Sequence, residues 1–284
     1  MRAVLITAIA TALSVGLAGC ATRLAAVPAS RPSPGSGTAG TIESTDRRLA
    51  ATVLAAKMAP SAAAHLAVAR EYARLKILDA AHTETARALA LAPNFAPAHE
   101  MMGRIWRDWG QPRAALPHAY RAIYLAPVSA SAQNTLGTIL DALGQVDAAR
   151  EAYQRAFALD PGAGWALSNL CYLEFRQGRF DVARQHCEAA LRVSPTLSEA
   201  QNNLGLAFAG SGDMPGAQAA FLLGGDLASA HYNIGMVHLA AGRFHAAAAA
   251  FEAAIKERPD FTAAKSRAHE SKMTALTADN RKQP

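Results

Sequence analysis

Three places in the chain set reactive side chains at spacings that chemistry uses. His99-Glu100-Met101-Met102-Gly103 begins as a zinc-hydrolase helix begins, with a ligand histidine beside a general-base glutamate. Gly103 stands where the second histidine ligand must be, so the motif is incomplete. Gly210-Ser211-Gly212-Asp213-Met214-Pro215-Gly216 has the glycine content of a phosphate-binding loop, but no strand pattern precedes it and no Lys-Ser/Thr follows. His231 and His238 share one helical face, where satisfied core histidines explain them better than metal ligands. No Cys-x-x-Cys occurs. These readings predict no catalytic residues, no metal, no cofactor and no small-molecule substrate. The chain is expected not to be an enzyme.

Cys20 is different, because its neighbours give it a chemistry. Arg2 supplies a positive start, Ala3 to Leu17 is an uncharged and largely apolar run, and Leu17-Ala18-Gly19-Cys20 follows. That is the layout of a secretory signal. The run is shorter than the roughly 20 residues of a spanning helix. Leu-Ala-Gly-Cys resembles the bacterial lipobox. The resemblance implies a signal peptide over 1–19, cleavage before Cys20 and a lipid on its sulfur, an anchor stable on a bilayer once two or three chains are attached. Ala21 stands where Gram-negative lipoproteins retained in the inner membrane carry Asp, which implies the outer membrane, facing the periplasm.

Composition indicates what must position these residues. Of the 284 residues 69 are alanine, 51% are hydrophobic, 18% charged and 6% aromatic. That is too apolar for disorder and points to helix. It is also too poor in bulk for one thick core. The net charge of +6 is scattered, with only short basic stretches at Arg47-Arg48 and Arg281-Lys282, so no nucleic-acid partner is expected. Residues 20–44 carry Pro28, Pro32 and Pro34 among Gly, Ser and Thr, and read as a flexible tether. A lead-in helix is expected within 45–61, with Asp46 as a cap.

The rest of the chain is periodic. Pro93, Pro127, Pro161 and Pro195 fall 34 residues apart, and Pro259 follows 64 later. Counting repeats from 62, 96, 130, 164, 198 and 228, small residues occupy positions 8, 20 and 27 and bulky ones mostly fill positions 7, 11 and 24. Repeat 130–163 shows the pattern: Leu136, Gly137, Leu140, Ala149, Tyr153, Ala156 and Pro161. This resembles the tetratricopeptide repeat over about 200 residues. The resemblance implies an all-α, right-handed superhelix of antiparallel helix pairs, about six repeats long: 62–95, 96–129, 130–163, 164–197, 198–227 and 228–261. The fifth is four residues short and ends in Gly224-Gly225-Asp226 without proline, which predicts a second helix ending near Gly224 and an Asp226 cap on the next. Residues 262–284 are expected to form a polar capping helix and tail.

Cys171 and Cys187 fall at positions 8 and 24 of one repeat, opposite each other in an antiparallel pair. In an oxidising periplasm they either bond or serve as two small buried hydrophobes.

The resemblance also assigns a binding face. First-helix positions 2, 5, 6, 9, 12 and 13 line the concave groove of such repeats. Position 6 holds Asn169, Asn203 and Asn233, and position 5 adds Asn134 and Asn202. An asparagine amide both donates and accepts, so a ladder of them could hold the backbone of an extended peptide. Trp165, Tyr172, Phe175, Tyr232 and Met236, with Arg104, Arg107 and Arg176, are expected around it as anchors. Repeat lipoproteins of this layout resemble the TadD-type lipoproteins of tight-adherence (Flp) pilus assembly and the pilotins of type IV pili and type II secretion. That implies an adaptor with a protein partner, attached to the membrane by its lipid. The alternative is a scaffold for peptidoglycan enzymes or outer-membrane protein assembly.

Overall fold

The small-residue pattern folds into helix pairs in a computed structural model that describes residues 46–280. Cys20, the signal 1–19 and the tether 20–44 lie outside the described residues. The lead-in helix is α1 (Arg47–Met58). Six pairs follow: α2 (Ala62–Arg74) with α3 (Leu78–Leu91), α4 (Ala96–Asp108) with α5 (Pro112–Leu125), and α6 (Ala130–Ala142) with α7 (Val146–Leu159). Then come α8 (Gly164–Arg176) with α9 (Phe180–Val193), α10 (Ser198–Ser211) with α11 (Met214–Gly224), and α12 (Leu227–Ala240) with α13 (Phe244–Glu257). The last helix is α14 (Thr262–Asn280). No strand occurs among the described residues. The chain divides into two compact units, one ending at Leu159 and one beginning at Asp160.

Each pair closes for the same physical reason. Ala81, Ala88, Ala115, Ala149, Ala156, Ala183, Ala190, Ala217, Ala247 and Ala254 are all wholly buried, where two backbones approach too closely for a larger side chain. The bulk comes from position 24. A Cβ on Gly137 would lie 2.6 Å from the Tyr153 ring, and one on Gly205 2.6 Å from Phe221. Gly235 lies against Phe251 in the same way, at 2.6 Å.

The turn inside each pair has one geometry. Gly110, Gly144, Gly178, Gly212 and Gly242, all at repeat position 15, take φ between 69° and 93°. Glycine reaches this left-handed region without steric cost. The first pair puts Lys76 there instead, at φ 61°. Second helices end just before the position-32 proline, with caps at Ala92, Ala126, Ser194 and Arg258.

Within each unit the pairs stack in sequence order. In the first, α2 packs on α4 and α4 on α6; in the second, α8 packs on α10. Each second helix also meets the first helix of the following pair within its unit. The first helices therefore line one continuous face of each unit.

Two ends are shaped by specific contacts. Asp46 caps α1 by accepting from the Leu49 amide at 2.9 Å, and its other oxygen binds Arg74 at 2.6 Å. Glu71 on α2 holds both Arg48 and Arg74, each at 2.8 Å, which ties the lead-in helix to the first pair. In the short fifth repeat α11 stops at Gly224, where a Cβ would meet Asn202 on α10 at 2.8 Å. Asp226 then caps α12, accepting from the Ser229 amide at 2.7 Å, and pairs with Arg258.

Candidate protein-binding face

The first-helix face is built on a repeating polar contact. In the first unit Glu100 at position 5 of α4 accepts from Thr135 at position 6 of α6, at 3.1 Å, and from Ser131 at 2.6 Å. In the second unit Asn203 at position 6 of α10 donates to Ser168 at position 5 of α8, reaching its carbonyl and its hydroxyl at 3.1 Å each. Asn233 at position 6 of α12 donates to Asn202 at position 5 of α10, at 3.1 Å. Asn202 in turn donates to the Gly224 carbonyl at 3.3 Å. The rule is a donor at position 6 bonded to an acceptor one repeat earlier, at position 5. Half-buried bonds of this kind fix the register of neighbouring helices.

The asparagines expected to hold a peptide are therefore placed otherwise. Asn203 and Asn233 direct their amide N–H groups into the preceding helix, and Asn233 is buried. Asn134 and Asn169 are half-buried and have partners of their own. Three expected anchors also move out of the face. Met236 is wholly buried, and Tyr232 is buried between Phe251 at 5.4 Å and Phe261 at 5.0 Å. The cause is the terminal helix: α14 packs on α13 where a further pair would stand, and Phe261 at their junction covers Tyr232. Phe175 is likewise core, against Phe180 at 5.9 Å.

What stays accessible is a smaller set. Arg104 is exposed, 4.0 Å from Glu100. Arg107 donates to Thr138 at 2.6 Å and to Asp108. In the second unit Trp165 is 36% exposed, and Tyr172 is half-buried with the Arg176 guanidinium 5.9 Å from its ring centre. Trp165, Tyr172 and Arg176 all belong to α8.

The electrostatics are local. Burial, then the charge of Arg243, lowers the pKa of His238, whose Nδ1 accepts from Arg243 Nε at 2.9 Å. The Asp226 carboxyl is held below its ordinary range, first by the Ser229 amide. His231 and His238 are half-buried.

Cys171 and Cys187 form a disulfide, with Cα atoms 5.3 Å apart, joining α8 to α9 beneath this face. Both are wholly buried.

Comparison with family models matches residues 101–164, 142–204 and 228–261 to the tetratricopeptide repeat. The chain carries tetratricopeptide repeats. The pair α2–α3 lies outside those matches and has the same turn and the same buried alanines. Solved structures agree on the tetratricopeptide fold. The Cut9–Hcn1 hetero-tetramer of the APC/C gives a TM-score of 0.64 at 19% identity, over 82% of this chain and 48% of that one. The present chain thus spans about half that relative's length. A tetratricopeptide repeat protein from Parabacteroides merdae ATCC 43184 gives 0.59 at 16% identity, over 78% and 90%. Pseudomonas aeruginosa pilF gives 0.55 at 16% identity, over 75% and 96%. No curated protein matches the sequence. Tetratricopeptide repeat proteins are typically non-enzymatic adaptors, and the repeats of this chain imply a protein partner.

Proposed function

We propose that the chain is a lipid-anchored adaptor of the cell envelope, which holds an extended segment of a protein partner on its first-helix face and supports assembly of a pilus or secretion machine. The observation that supports the binding role is the surface of α8. There Trp165 is exposed and Arg176 lies over Tyr172, while the neighbouring polar groups are occupied in bonds between helices. Aromatic and arginine side chains on a rigid support are the usual anchors of an interface. The fold shared with pilF agrees with this reading and carries no more than the fold. The envelope role rests on the lipobox-like Leu17-Ala18-Gly19-Cys20.

The test has two arms. Trp165→Ala combined with Arg176→Ala should abolish recovery of the crosslinked partner from native membranes while the far-ultraviolet helical signal stays intact. Unchanged recovery overturns the assignment of this face. Cys20→Ala should release the protein from membranes, and continued membrane association overturns the anchor.

A further inference from the structure

Two histidines outside the binding face make a contact that the adaptor role does not require. His99 on α4 and His118 on α5 belong to one helix pair, at repeat positions 4 and 23, and both are half-buried. Their Nδ1 atoms are 3.3 Å apart and their rings are tilted by 30°. We propose that His99 and His118 form a two-histidine site for a late first-row divalent cation, with the geometry of Zn(II).

Two observations carry the assignment. The first is distance. Two nitrogens each 2.0–2.1 Å from a tetrahedral Zn(II) stand about 3.3 Å apart. The second is orientation. His99 Nε2 lies 2.9 Å from the Pro93 carbonyl and donates its hydrogen there. That fixes the tautomer with the lone pair on Nδ1, facing His118. A backbone carbonyl on the far nitrogen is the usual support of a metal-binding histidine. On binding, the Nδ1 proton of His118 moves to Nε2 through solvent, and no net proton need leave.

The preceding pair is an internal control. Its positions 4 and 23 hold His65 and Glu84, joined at 2.6 Å, which is a charge-assisted hydrogen bond too short to admit a cation between its atoms. Among the described residues no group of three or more histidines, cysteines or carboxylates is placed to hold a metal. The remaining positions are therefore filled by water or by a partner's ligand, and affinity is modest. Imidazole pairs favour copper, zinc and nickel over magnesium or calcium.

The experiment uses the untagged full chain in mild detergent. One Co(II) per chain should bind with the visible absorption of a tetrahedral site, and Zn(II) should displace it. Zn(II) should also raise Tm by several degrees in the wild type and in His65→Gln, and by nothing in His99→Gln or His118→Gln. Absence of Co(II) binding at millimolar metal, or equal binding by both variants, overturns the site. Should the variants not fold, Cu(II) line broadening of the wild-type histidine resonances decides it. Broadening confined to His99 and His118 supports the site, and broadening led by other histidines overturns it.

Discussion

Cys171 is bonded to Cys187 at the two repeat positions where other pairs set a glycine beneath an aromatic ring. Gly137 lies under Tyr153, Gly205 under Phe221 and Gly235 under Phe251. Each arrangement fills the same gap between antiparallel helices, three by packing and one by a covalent link. The link closes a loop of 16 residues through the turn at Gly178.

Removing that link should be costly and local. A loop of this length contributes about 3 kcal/mol in the chain-entropy account. Cys171→Ala with Cys187→Ala should lower Tm, and reduction with dithiothreitol should lower the wild type to a similar value. Hydrogen exchange should rise first in α8 and α9. A variant as stable as the oxidised parent would show that the bond contributes nothing.

Lys76 is a second place where one pair departs from the others. It takes φ 61° where five pairs have glycine. A non-glycine residue in this region costs about 1–2 kcal/mol, offset in part by the greater unfolded-state entropy of glycine. Lys76→Gly should therefore stabilise the chain by about 0.5–1 kcal/mol in a urea melt. A loss of stability would mean that the Lys76 side chain contributes more than its backbone costs.

The bond from Asn203 to Ser168 predicts a coupling energy. Single changes Asn203→Ala and Ser168→Ala should each destabilise, and the double-mutant cycle should return about 1 kcal/mol of interaction. Additive effects would show that the bond does not hold α8 to α10.

His238 predicts a pH dependence. Its folded-state pKa lies below the ordinary value of 6.5, through burial first and Arg243 second. The unfolded chain thus takes up the proton before the folded chain does. Stability is complete above about pH 6.5 and falls as pH drops below it. Asp226, also lowered, acts only nearer and below its ordinary value of 3.8. With chelator present, His238→Gln should melt with a shallower dependence between neutral pH and pH 5 than the wild type. His118 retains a contribution of the same sign in that variant. Identical slopes would sink the assignment.

The repeat fold was legible because close packing leaves few choices. Where two backbones meet, only Ala, Gly or Cys fits, and the alanines at positions 20 and 27 record that spacing directly. The Asp226 cap and the end of α11 at Gly224 follow from the same local chemistry. The binding face was legible only as a set of positions. Asn203 and Asn233 were expected to wait for a peptide, yet each is bonded to its neighbour. Amide chemistry is the same in both roles, so asparagine alone does not distinguish them. The residue at position 5 one repeat earlier does: Ser168 and Asn202 stand ready to accept, as Glu100 does for Thr135. Tyr232 was misplaced because its cover, Phe261 at the junction of α13 and α14, depends on where the array stops, and Met236 is wholly buried as well. The contact of His99 with His118 joins two helices across 19 residues and leaves no local pattern.

Three rungs between first helices, Thr135 to Glu100, Asn203 to Ser168 and Asn233 to Asn202, run one way, from donor at position 6 back to acceptor at position 5. This gives the array a contact grammar that does not depend on which repeats are adjacent. Excising residues 198–227 would set Asn233 after Ser168, donor after acceptor, with the same sentence still readable. The units behave as interchangeable parts, and such a chain can lengthen or shorten by whole repeats through duplication or loss without inventing a new interface.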